Sequence, residues 1–203
     1  MRRRTVLGLT AASLLCVPGA GCLGDGSSGA GNDGSTDILY TVSVAIAEES
    51  PTENLPLELG FDVRRESITE DDPFGIEFAL RNEGDEPIEV SSGAPWPFGV
   101  PWLEPTDASD EPGVTLWTDA YEKSSHVGTN GRHVTAVQDI GLVEELEGGE
   151  SVTRTYELYS DTPGLEPETY RFRIGVGARS GEVSEGAAFY FELVVSDGSE
   201  TSD

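Results

Sequence analysis

Cysteine is almost missing from these 203 residues: there are two, Cys16 and Cys22, both near the N-terminus. The rest of the chain has no disulfide to draw on and must be held by packing, which a domain of this size can supply. Lysine is scarcer still, with Lys123 the only one, and Lys+Arg total 12 against 38 Asp+Glu, a net charge of −26. Phosphate would be repelled by such a surface, which disfavours nucleic acid as a partner and disfavours unaided adsorption to an anionic leaflet. No apolar run approaches the roughly 20 residues of a membrane-spanning helix. Only two histidines are present, His126 and His133, with no third clear metal ligand beside them.

The longest apolar stretch, Val6 to Val17, is broken only by Thr10 and Ser13; it follows Arg2, Arg3 and Arg4 and ends at Pro18-Gly19. A basic start, a short apolar run and a helix-breaking pair read as a signal peptide. Arg3-Arg4-Thr5-Val6-Leu7 resembles the twin-arginine export motif, which implies transport of an already folded protein. Ala20-Gly21-Cys22 resembles a lipobox, which implies cleavage before Cys22 and lipidation of its thiol; Leu15 is too large for Cys16 to serve instead. Residues 1–21 are thus expected to be the signal peptide, and residues 22–37 a lipidated cysteine with a Gly/Ser/Asp tether. About 15 such residues reach roughly 20 Å, enough to hold a domain off the headgroups. The expected location is the extracytoplasmic face of the cell membrane, with the lipid anchor as the membrane contact.

Without Arg2, Arg3 and Arg4 the balance is 9 basic against 38 acidic residues, a net of −29. Repulsion on that scale destabilises a compact chain unless salt screens it, and the Debye length falls to about 3 Å at molar salt. Scarce lysine beside abundant Asp and Glu is similar to salt-adapted haloarchaeal proteins. Most of the acidic surface is read as solvation rather than as a site.

Between the tether and an acidic tail at 196–203 lies one domain, residues 38–195, whose apolar period is two. Phe74, Ile76, Phe78 and Leu80 alternate with Gly75, Glu77, Ala79 and Arg81; Tyr170, Phe172, Ile174 and Val176 alternate with Arg171, Arg173, Gly175 and Gly177. Phe189, Phe191, Leu193 and Val195 alternate with Tyr190 and Glu192. These mark three central strands. Further strands are expected over 38–47, 57–63, 88–91, 114–118, 134–140 and 151–159, each bounded by turn-forming residues. Leu142 to Leu146 hints at a helical turn. Many short strands predict an all-β, immunoglobulin-like antiparallel β-sandwich. Leu165-Glu166-Pro167 shortly before Tyr170 suggests a tyrosine corner, in which the phenol binds backbone upstream.

A resemblance supports that fold. Asn82 after the Phe78 strand, then Pro87-Ile88-Glu89-Val90, Gly113 to Trp117, Leu146-Glu147-Gly148-Gly149-Glu150 and Pro163-Gly164 ahead of Tyr170 resemble the motif order of the BsuPI-like proteinase-inhibitor domain. The loop Gly93 to Gly99 is similar to one in haloarchaeal lipoproteins of unknown function. The resemblance implies a fold and a location, and it supplies no inhibitory residue.

Residues 91–105, SSGAPWPFGVPWLEP, carry prolines at 95, 97, 101 and 105, with Trp96, Phe98 and Trp102 between them. A proline-stiffened loop could offer these rings to a sugar, a peptide or a protein at low entropic cost. Equally, the rings could fold back and close the end of the sandwich, since large exposed apolar patches are rare. Trp117 sits in a strand-like run and is assigned to the core. The Asn130-Gly131 turn predicts a hairpin pairing Gly128 with His133 and His126 with Thr135, which would place both histidines on one face as weak metal candidates with Asp119 or Asp139. Ser125, adjacent to His126, would point to the opposite face of a strand, and no oxyanion-forming Gly motif accompanies Ser124 or Ser125, so neither makes a good nucleophilic pair with His126. The clusters Glu70-Asp71-Asp72 and Asp107, Asp110, Glu111 lack calcium-loop spacing.

The sequence reading is therefore a membrane-anchored, extracytoplasmic binding module of the cell envelope, salt-adapted, non-enzymatic and without a cofactor, whose candidate contact residues are Trp96, Phe98 and Trp102. A BsuPI-like proteinase inhibitor is the first alternative, and a metal-dependent enzyme using His126 and His133 the second.

Overall fold

The structure, a computed structural model, describes residues 37–106 and 113–198. Arg3, Arg4, the proposed cleavage site, Cys22 and the tether up to residue 36 lie outside the described residues, as do Asp107, Asp110 and Glu111. In chain order the elements are β1 (Tyr40–Ser50), β2 (Leu57–Arg65), β3 (Ser67–Ile68), β4 (Phe74–Asn82), β5 (Ile88–Ser92), β6 (Trp102–Pro105) and β7 (Val114–Thr115). There follow the helical turn α1 (Ala120–Lys123), β8 (Val127–Asn130), β9 (His133–Val137), β10 (Leu142–Leu146), β11 (Ser151–Leu158), β12 (Thr169–Ser180) and β13 (Val183–Asp197).

Two antiparallel sheets face each other. The larger has the order β10-β5-β12-β13-β1-β3, with β6 joined to β12 and β7 to β6; the smaller is β11-β4-β2. Taking β2, β4, β5, β10, β11, β12 and β13 as strands A, B, C, C′, E, F and G, the sheets are A-B-E and C′-C-F-G. This is an immunoglobulin-like sandwich, with β1 added along the G edge. The three strands expected to be central are central. Phe74, Ile76, Phe78 and Leu80 are fully buried on β4, facing Phe172 and Ile174 on β12 and Phe191 and Leu193 on β13. Across the core the Phe78 ring lies 5.6 Å from Phe191 and 6.5 Å from Phe172, and Phe172 stacks on Phe191 at 4.8 Å. Each such side chain contributes roughly 1.5–3 kcal/mol by leaving water.

Polar ties close the ends. Buried Asn82 donates from Nδ2 to the Glu86 and Leu146 carbonyls at 2.8 and 3.0 Å, and its Oδ1 accepts from Gly84 N at 3.0 Å. The bonds with Glu86 and Gly84 brace the β4–β5 turn, and the bond to Leu146 joins that turn to the end of β10. Gly148 lies against the Asp85 carbonyl so closely that a Cβ there would collide with it, so the Glu147 to Glu150 turn needs glycine at that place. Tyr170 forms the expected tyrosine corner: its hydroxyl accepts from Glu166 N at 2.9 Å and donates to the Glu166 carbonyl at 3.0 Å.

Two expectations are corrected. Leu142 to Leu146 is the edge strand β10, paired with β5 from Leu142↔Ser92 to Leu146↔Ile88. The i, i+4 spacing of its leucines imitates a helix, yet they anchor the two ends of a strand while Val143 stands 60% exposed. Glu144 and Glu145 lie along this edge, where charge discourages further strands from adding. The helical turn instead falls at α1, where Tyr121 is buried against Trp117 with ring centroids 5.4 Å apart. Trp117 is core, as expected, and bridges to Glu157 on β11.

The β8–β9 hairpin is the second correction. Its turn is Gly131-Arg132, one residue later than expected, so Asn130 pairs with His133, and a bulge then brings Val127 opposite Val137. Gly131 takes the first turn position at φ +57°, where a primed turn favours glycine. The combined shift puts His126 opposite Gln138 rather than Thr135, with Nδ1 2.9 Å from Gln138 Oε1. The two histidines therefore do not share the expected diagonal.

Candidate functional site

The proline-rich loop is an excursion from the central C strand. On one side of β12, β5 pairs Ser91 with Gly177, and β6 pairs Glu104 with Arg171. Residues 91–104 thus cover a stretch of β12 that needs only as many residues as separate 171 from 177, and the surplus leaves the sheet. Part of that surplus turns inward. Phe98 is buried, its ring 5.9 Å from Phe78, and the Gly99 carbonyl accepts from the buried Tyr156 hydroxyl at 2.9 Å. Arg154 Nη2 donates to the Trp96 carbonyl at 2.8 Å, and Trp96 Nε1 donates to the Val90 carbonyl at 3.2 Å. Burial pushes the Tyr156 hydroxyl well above its ordinary pKa, so it remains a donor to Gly99.

The three aromatic candidates thus separate. Phe98 is buried in the core at 5% exposure and lines the inner wall of a groove beside Trp102. Trp96 is half-buried with its indole nitrogen bonded to backbone. Trp102, the first residue of β6, is 47% exposed on the outer face of the large sheet.

Around Trp102 two grooves meet, of about 430 and 370 Å³, with Val100, Trp102 and Arg173 common to both. Val137 and Ile140 from the β9–β10 segment line the first, and Tyr190 from β13 lines the second. All three are among the exposed large apolar side chains. On the outer face of β12, Arg171 pairs with Glu192 at 2.9 Å and Arg179 with Glu89 at 2.5 Å. Among the described residues no carboxylate pairs with Arg173; its guanidinium carbon lies 5.6 Å from the centre of the Tyr190 ring. Gly175 makes room for it, since a Cβ there would stand 2.5 Å from Arg173 Nη2.

The other candidates are dispersed. Among the described residues, no three of His, Cys, Asp and Glu come together as a metal set. Asp139 joins the rim of the Trp102 groove and Asp119 borders a different one, near Lys123 and Arg154. Ser124 Oγ accepts from the His126 backbone at 3.2 Å, a turn contact rather than a nucleophile–base pair. Asp72 pairs with Arg65 at 3.0 Å. Arg173, Tyr190, Val137 and Ile140 were not singled out from sequence. One signal was available: in a chain so poor in basic residues, three arginines fall at alternating outward positions of a single strand.

Fold and groove together define an immunoglobulin-like sandwich with an arginine and exposed rings on its large outer face. A family model described as Domain of unknown function (DUF8130) matches residues 1–173, and the chain belongs to that family. No curated protein matches it.

Proposed function

We propose that this protein is a membrane-anchored, extracytoplasmic binding module of the cell envelope, salt-adapted and without catalytic activity. The observation that carries the binding role is the construction of the Trp102 groove. The central strand is interrupted, the loop is pinned by Tyr156 and Arg154, and an exposed indole is left on a rigid sheet. A ring held on paired strands gives contact area with little entropy to lose on binding. The reading of location rests on Arg3-Arg4, the short apolar run and Ala20-Gly21-Cys22, together with a family match that takes in this N-terminal segment. No helix among the described residues is long and apolar enough to cross a membrane; the anchor in this reading is the lipid on Cys22 that the lipobox resemblance implies.

Fractionation of a salt-requiring host expressing wild type and Cys22→Ser tests the anchor. Wild type is expected in the membrane pellet with residues 1–21 removed, and the mutant released or unprocessed. Both forms staying soluble inside the cell with residues 1–21 attached would overturn it and favour the BsuPI-like inhibitor reading, which a protease-protection assay in molar salt would then address.

A further inference from the structure

We infer that the Trp102 groove binds an acidic saccharide, a pyranose chain bearing carboxylate or sulfate groups. This rests on the binding-module reading above and names its ligand class. Three features point the same way. First, Trp102 and Tyr190 flank a shallow open trough, and flat rings on an open surface suit the apolar face of a sugar ring. Second, Arg173 supplies a guanidinium fork between them. In a chain of net charge −26, where Arg171 and Arg179 on the same face are each neutralised by a glutamate, this one has no carboxylate among the described residues. A guanidinium left in this way is suited to a bidentate oxyanion. Gly175, lacking a side chain, lets the guanidinium lie where a Cβ would otherwise stand. Third, the site lies on the face of the sheet. A peptide bound by strand addition draws its main-chain hydrogen bonds from a free edge, and here β12 is flanked by β13 on one side and by β5 and β6 on the other. A saccharide needs no such edge. At molar salt charge beyond a few ångströms is screened, and of the carboxylates that line the grooves, Glu104 and Asp139, neither pairs with Arg173, which leaves its guanidinium open to an oxyanion.

Calorimetric titration of the full mature chain in detergent and molar KCl tests this with four probes. They are a tetragalacturonate, a sulfated galactan tetrasaccharide, the neutral galactan tetrasaccharide and a tetraglutamate peptide. Either or both acidic saccharides are expected to bind, the two arms telling carboxylate from sulfate, with indole fluorescence changing on binding. Trp102→Ala is expected to weaken them at least tenfold. Arg173→Gln is expected to weaken the acidic saccharides tenfold while leaving any neutral-saccharide binding unchanged, with Arg173→Lys intermediate. Melting curves confirm that each variant is folded. Acidic-saccharide affinity indifferent to both substitutions overturns the inference. Preference for the neutral saccharide or the peptide, dependent on Trp102, also overturns it while the binding-module reading stands. Binding of none of the four overturns it as well, and fractionation of Cys22→Ser decides the anchor independently.

Discussion

The hydroxyl of Tyr170 and the backbone of Glu166 exchange two hydrogen bonds, at 2.9 and 3.0 Å, across the turn that carries the chain from the small sheet to the large one. The phenol is buried, so removing it leaves the Glu166 amide without its protein partner. Tyr170→Phe is expected to lose about 1–3 kcal/mol of stability. In thermal unfolding at molar salt this amounts to several degrees, with no change in the exposure of Trp102.

The same residue shows why part of the fold was legible. Tyr170, Phe172, Ile174 and Val176 alternate without interruption, and a strand buried on one face leaves that pattern wherever it lies. Asn82 is equally visible as a residue, but its role as the tie between two turns depends on Leu146, far along the chain. The histidine hairpin failed for a local reason: one bulge and a one-residue slip of the turn move every partner, and no periodicity records a bulge. The aromatic loop was found as a unit yet not divided. Phe98 and Trp102 have similar sequence surroundings, and which one turns inward is set by Phe78 and Tyr156 on the opposite sheet. Arg173 escaped because its meaning lies in the glutamate it lacks, whereas Arg171 two residues earlier has one.

Glu185 predicts an acid response. Its carboxylate accepts from the backbone and side chain of Asn54, and from the amides of Leu55 and Glu53 at 3.2 and 3.0 Å. These bonds, the Asn54 amide first, hold its pKa below the ordinary carboxylate value. A depressed folded value means the stabilisation is present above the unfolded pKa and is lost as pH falls through the folded one. Amide exchange at Glu53 to Leu55, corrected for its intrinsic pH dependence, is expected to lose protection across that acid window. Glu185→Ala should lack protection at all pH values, and an unchanged mutant profile would sink the assignment.

At the alkaline end the buried phenols act. Tyr121 donates to the Leu116 carbonyl at 2.9 Å and Tyr156 to Gly99, and burial raises both above the ordinary tyrosine value of 10.0. With folded values raised, the stabilisation is complete below about pH 10 and falls as pH climbs from there toward the folded values. Each group contributes a slope of about 1.4 kcal/mol per pH unit. Chemical denaturation at successive pH values above 10 should show that slope. Tyr156→Phe is expected to begin less stable at neutral pH, because the Gly99 carbonyl loses its donor, and to decline more gently in alkali. A mutant that declines as steeply as wild type would place the titrating groups elsewhere.

Phe98 and Trp102 offer the sharpest division of the loop into a part that holds the fold and a part that faces out. Phe98 is buried against Phe78, so Phe98→Ala removes a packed ring and leaves a cavity between the sheets, at about 3–5 kcal/mol. Trp102 stands on the outer face of a strand whose backbone pairing does not depend on its ring. Trp102→Ala is expected to change stability by less than about 1 kcal/mol. The two substitutions are equal in chemistry and four residues apart, so intrinsic propensity cannot separate them; only the direction of each ring can. Denaturation curves in molar salt should therefore show a large loss for the first and nearly none for the second. If both are equally damaging, the indole is a plug like Phe98 and the groove has no presented surface. If both are mild, the loop does not hold the sandwich closed, and the bonds from Tyr156 and Arg154 to Gly99 and Trp96 do not pin it.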